Sequence, residues 1–221
     1  MMRRIFFTIA ILLFSWNVFS QGIQFEIGSW KEVLQKAKQE NKLIFVDLYT
    51  TWCGPCKKMA AETFPQQTVG DYFNKNFVNY KIDAEKGEGP ELAGKYEVSA
   101  YPTLVFVNAA GELVYKFMGV RTADKLIAEG EKAVRLYALA PSIAAMEKEY
   151  EQGKRGKVFL GEYYALLKES GAGGGIVLNE YLKCLSDEEL LLEENVNNIG
   201  NISIFDPVLF DRLVKGIKKV E

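Results

Sequence analysis

Residues 43–49 read LIFVDLY, a nearly continuous apolar run and the pattern of a β-strand covered on both faces. Residues 77–82 predict a second central strand, and residues 103–107 and 113–117 two more, joined by a hairpin turn at Asn108-Ala109-Ala110-Gly111. Around these the spacing turns helical. Residues 29–41 place Trp30, Val33, Leu34 and Ala37 on one face, with Ser29 as N-cap and Glu32 as its capping-box partner. Shorter helices are expected over 54–63, 67–76 and 91–96, and an amphipathic helix over 122–138. The resulting order predicts an α/β fold, a mixed central sheet with helices on both faces.

Beyond Pro141, strand signals give way to helical ones. Residues 142–152, 157–170 and 175–185 are periodic in apolar residues, Ser186-Asp187-Glu188-Glu189 is a capping box, and Asp206-Pro207 pairs an N-cap with proline at the first helical position. The GAGGG run at 171–175 reads as a break or linker; a phosphate cradle calls for a preceding strand and a Lys-Ser/Thr finish. At the other end, Arg3 and Arg4 precede an apolar stretch over 5–19 and the small-residue approach Val18-Phe19-Ser20. This is the pattern of a cleaved signal peptide. It is too short for a comfortable membrane span of roughly 20 apolar residues, and no later run is long enough. The expected units are a signal peptide over 1–20, an α/β domain over 21–140 and an all-helical C-terminal extension over 141–221. Export makes the periplasm the expected location, with release or an uncleaved tether as alternatives, and places the cysteines where disulfides persist.

The charge balance removes several classes of function. With 27 Lys+Arg and 29 Asp+Glu among 221 residues the net charge is −2, or −4 once the two leader arginines are removed. No basic surplus is available for a nucleic-acid partner. The chain has no histidine, which excludes Ser-His-Asp and Cys-His catalysis and His-ligated zinc, haem or copper. No cofactor or metal is expected. Three cysteines carry the remaining chemistry.

Two of them form Trp52-Cys53-Gly54-Pro55-Cys56, set between a buried strand and a helix. That position puts Cys53 at a helix N-terminus, where unsatisfied N–H groups favour the thiolate, the nucleophile of disulfide exchange. Cys56, one turn on, is placed to resolve the mixed disulfide by attacking Cys53, and Pro55 suits the first turn. The competing readings are an inert structural bridge and a zinc half-site; for zinc only Cys184 can join the pair as sulfur. Cys184 itself lies in an apolar helical pattern with Tyr181, Leu182 and Leu185 and is expected to be a buried thiol.

Asp47, Trp52-Cys53-Gly54-Pro55-Cys56-Lys57 and Tyr101-Pro102-Thr103 together resemble the thioredoxin superfamily over residues 25–138. The string from Cys56-Lys57-Lys58-Met59 through Glu62-Thr63-Phe64 to Asn76-Phe77-Val78 is similar to the branch containing the C-terminal periplasmic domain of the transmembrane disulfide reductase. The resemblance implies a thioredoxin fold and several roles. Asp47 is the buried carboxylate that handles protons for Cys56. Pro102 is a cis-proline facing the cysteines, leaving the Tyr101 backbone to pair with an extended substrate segment. Gly119 and Val120, after Met118, complete a groove that Trp52, Gly54 and Pro55 edge. Three departures stand out: Asn79 replaces the family lysine that accompanies the buried Asp, Ala61 replaces a kinking proline, and Tyr101 replaces an aliphatic residue in the manner of isomerases. The expected partners are disulfide-containing proteins and an upstream thiol donor. The expected activity is an exported thiol:disulfide oxidoreductase, reducing by virtue of its Gly-Pro spacer. The alternatives are an oxidase or isomerase, or a peptide-binding module in which the helical extension docks a partner.

Overall fold

The structure, a computed structural model, describes residues 22–171, 173–199 and 206–220. The expected signal peptide over 1–20 lies outside the described residues.

Five strands form one sheet: β1 (Phe25–Glu26), β2 (Leu43–Tyr49), β3 (Phe77–Asp83), β4 (Thr103–Val107) and β5 (Leu113–Met118). Their order is β1-β3-β2-β4-β5, with β1 and β2 parallel to β3 and the β2–β4 and β4–β5 pairs antiparallel. The uninterrupted apolar run places β2 in the middle of this order, as a strand buried on both faces requires. Strand β1 was not anticipated, because two residues carry no readable period.

Alternation along β2 divides the core in two. Ile44, Val46 and Leu48 pack with Trp30, Val33 and Ala37 of α1 (Trp30–Glu40) and with Leu92 of α4 (Gly89–Lys95). Leu43 and Phe45 face the opposite side, with Phe73 of α3 (Gln67–Asn76), Phe106, Phe117 and Leu126. Phe45 sits 4.7 Å from the Phe73 ring and 5.3 Å from Phe106. Asp47 falls on this second face, one pleat beyond Phe45. Helix α1 carries the expected capping box, Ser29 accepting from the Glu32 N–H and Glu32 accepting from the Ser29 N–H.

The helix expected over 54–63 is α2 (Gly54–Lys58) followed by a π-helical turn, Met59–Thr63. Ala61, which stands where the resemblance leads one to expect proline, lies inside that turn.

The largest difference lies at Pro141. The helices read over 122–138 and 142–152 are one, α5 (Ala123–Glu151), and position 141 falls inside it. Proline there removes an N–H and crowds the preceding carbonyl. The helix continues because it is anchored on both sides. Leu126 and Ala133 pack under the sheet, while Ile143, Met146 and Tyr150 pack on a separate helical core. That core joins Leu160, Tyr163 and Leu167 of α6 (Lys157–Ser170) to Leu178 and Leu182 of α7 (Gly175–Lys183), Leu190 of α8 (Asp187–Leu190), and Leu209 and Leu213 of α10 (Pro207–Val220). The segment opened by the Ser186 capping box is two short helices, α8 and α9 (Glu193–Ile199). Cys184 is exposed rather than buried, capping α7 with Sγ 3.3 Å from the Glu180 carbonyl. Leu178, Leu182 and Leu185 take the buried face, which leaves position 184 outside it.

A continuous helix across an exposed interior proline gives a direct expectation. Pro141→Ala should stabilise the helical extension by about 1–3 kcal/mol, read as a higher urea midpoint by circular dichroism. An unchanged midpoint would mean that the helix breaks there.

Candidate active site

The cysteine pair sits where β2 ends and α2 begins. Cys53 is the N-cap of α2, and its backbone N–H donates to the Thr50 carbonyl at 3.2 Å. Cys53 and Cys56 are joined by a disulfide with a 2.06 Å S–S bond, and the Cys56 N–H donates to Cys53 Sγ at 3.1 Å. This donor is aimed at the atom that would carry charge in the reduced state, and such a contact favours a thiolate. Both cysteines are buried, so access to the sulfurs is set by the surrounding loops. Gly54 has open space around a notional Cβ, and Pro55 occupies the first helical turn, where its missing N–H costs nothing.

Asp47 and Cys56 line one cavity of about 340 Å³, shared with Phe25, Lys57, Ala60, Phe64, Pro65 and Lys81. The Asp47 Oδ1 atom is buried and accepts no hydrogen bond from the described residues. Burial among apolar neighbours raises its carboxyl to about 7, against the opposing pull of the Lys81 ammonium. Lys81 was not identified from the sequence. It stands opposite Asp47 in the parallel β2–β3 register, where only the strand pairing reveals it. Asn79, at the position of the family lysine, is instead buried opposite Phe45. Its Nδ2 donates to the Gln24 carbonyl and to Asn74 Oδ1, tying β1 to the sheet.

The remaining expected residues form a second group, linked to the motif loop through the Trp52–Tyr101 ring contact. The Tyr101–Pro102 peptide is cis, and the Pro102 carbonyl accepts from the Gly119 N–H at 2.9 Å, joining that loop to the end of β5. Gly119 has φ of +88°, which explains the glycine, whereas a Cβ there would meet only Arg121 Nη1, at 3.9 Å. Val120 and Met118 are exposed beside it. Trp52 is 65% exposed, lies edge-on to Tyr101 at 5.9 Å, and donates from Nε1 to both carboxylate oxygens of Glu85 at 3.0 Å. Glu85, like Lys81, carries no sequence signal of its own. Among the described residues no cluster of three potential metal ligands occurs and no helix is long and apolar enough to cross a membrane.

Residues 23–132 match the family profile described as Thioredoxin. Thioredoxin H4 of Arabidopsis thaliana is 37% identical over 95 residues, covering 43% of this chain and 75% of the relative. A protein disulfide-isomerase of Datisca glomerata is 31% identical over 88 residues, covering 40% of this chain but only 17% of the relative. Among solved structures, a Bacteroides thetaiotaomicron protein described as a disulphide-isomerase is 50% identical, covering 52% of this chain and 94% of the other, with a TM-score of 0.48. With a matching profile, most of a thioredoxin's length covered, and a Cys-x-x-Cys disulfide at the head of α2, the chain belongs to the thioredoxin family.

Proposed function

We propose that this protein is an exported thiol:disulfide oxidoreductase that reduces protein disulfides through a mixed disulfide at Cys53. The observation that carries the reading is the buried carboxyl of Asp47, held near neutrality in the same cavity as Cys56. A disulfide bridge with a purely structural role has no use for a buried carboxyl with an unbonded oxygen in the same cavity.

In the reduced state the Cys53 thiolate attacks a substrate S–S bond. One substrate sulfur leaves as a thiolate and takes a proton, and the other is bonded to Cys53. Cys56 then gives its proton to the Asp47 carboxylate, and the resulting thiolate attacks Cys53 Sγ. The second substrate thiol is released and the Cys53–Cys56 disulfide forms, the state seen in this structure. Two electrons have passed to the substrate, and an upstream dithiol returns them. The cis Tyr101–Pro102 peptide is joined to Gly119 through the Pro102 carbonyl and to the motif loop through the Tyr101–Trp52 ring contact, which supports a groove where an extended segment pairs with backbone groups. The leader-like pattern over 1–20 supports export to a periplasm. The Gly54-Pro55 spacer favours reduction. Tyr101, which resembles isomerases, favours the second reading, an isomerase, and the measured reduction potential separates the two.

Mixed-disulfide trapping tests the roles of the two sulfurs. Cys56→Ser should accumulate covalent adducts with a disulfide peptide, and Cys53→Ser should form none and turn over at the background rate. Adducts on Cys53→Ser would reverse the assignment.

Asp47→Asn should slow resolution of the mixed disulfide by about 10²-fold near neutral pH and erase a rate increase centred near pH 7, measured by stopped-flow. The same variant has a stability signature. The folded Asp47 holds its proton more tightly than the unfolded chain does, so its contribution is full below about pH 4 and declines as pH rises to about 7. Asp47→Asn should therefore be more stable than wild type at pH 8, by roughly 4 kcal/mol or less, and no more stable at pH 4. Equal stability at both values would place the carboxyl in contact with solvent.

A further inference from the structure

Trp52 and Glu85 form an arrangement that the exchange chemistry does not require. Trp52 immediately precedes Cys53 and is mostly exposed, yet its indole is held at both ends. The Nε1–H is shared between the two Glu85 oxygens at 3.0 Å each, and the ring meets Tyr101 edge-on at 5.9 Å. Three chain segments therefore meet beside Cys53: the motif loop, the turn after β3 and the loop before Pro102. The turn is itself held, the Glu85 N–H donating to Asp83 Oδ1 at 3.1 Å.

The partner of Glu85 is a neutral donor, so the hydrogen bond brings no positive charge to the carboxylate. The adjacent Lys86 pairs with Asp83 at 3.1 Å, and Lys116 pairs with Glu97 at 3.5 Å. Lys57 and Lys81 line the cavity behind Cys56. Among the described residues no ion pair includes Glu85.

We propose that Glu85 is a specificity-determining residue that pins Trp52 as one wall of the substrate groove and sets an uncompensated negative charge at its rim. Disulfide segments with Lys or Arg beside the attacked cysteine are then preferred over acidic ones. The inference rests on the oxidoreductase reading above. A wall already fixed loses little freedom when a segment binds against it, and a rim charge selects partners by Coulomb attraction that salt screens.

The test compares wild type, Glu85→Gln and Glu85→Ala on two disulfide peptides that differ only in Lys or Glu beside the cysteine. Wild type should show a KM about three- to tenfold lower for the Lys peptide at low ionic strength, with the ratio collapsing in about 0.5 M salt. Glu85→Gln keeps an oxygen acceptor and loses the charge. It should lose the preference while the Trp52 indole N–H, followed by NMR hydrogen exchange, stays as protected as in wild type. Glu85→Ala should lose the preference and exchange that proton about five- to tenfold faster. A preference that survives in Glu85→Gln, or unchanged indole exchange in Glu85→Ala, overturns the proposal. The exchange readout needs no turnover. Normal protection in wild type with neither peptide reduced would therefore strike down the oxidoreductase reading, and the preference with it, while leaving the pinned indole in place.

Discussion

A carboxyl group in the apolar interior is the constraint on which this site depends. The alternation that puts Phe45 into the aromatic core puts Asp47 on the same face of β2, in the cavity it shares with Cys56. Transfer of a carboxylate into such surroundings is costly, and the group responds by holding its proton to about pH 7. The fold is less stable for it at and above about pH 7. Under the proposed mechanism, what is gained is a proton acceptor that is half ionised near neutrality in the cavity it shares with Cys56, the condition under which acid–base exchange is most effective.

The rest of the domain keeps that placement fixed. Strand β2 is covered on both faces, so the register of Asp47 cannot slip without turning Ile44 and Val46 toward the aromatic side. The same strand feeds directly into the motif loop, and Cys53 caps the helix that carries Cys56. Lys81, opposite Asp47 on β3, supplies a cation that moderates the carboxyl. Asn79 no longer serves that purpose and instead holds β1 against the sheet.

Local signals made most of this architecture legible. The LIFVDLY run, the Ser29 and Ser186 capping boxes and the hairpin turn at 108–111 each depend on residues close in the chain, and each marks an element in the structure. The Cys53-Cys56 pair and the Asp47 spacing were equally visible. What escaped depends on distant partners. A two-residue strand has no period, Lys81 and Glu85 acquire meaning only through strand register and a turn, and Cys184 lies just off the buried face of its helix. Pro141 misled because proline is a strong local breaker, whereas packing at both ends of α5 is a tertiary effect. That continuous helix links the thioredoxin core to a second apolar core, which the exchange chemistry leaves without a role.

The claim that Asp47 serves the Cys53–Cys56 couple is tested most directly by titrating its carboxyl carbon by NMR, in the oxidised protein and again after reduction. The account predicts a midpoint near 7 in the oxidised state and a displaced midpoint once a Cys56 thiol replaces the disulfide in the shared cavity. A midpoint in the ordinary range of about 3.9, or one that ignores the redox state, would contradict it.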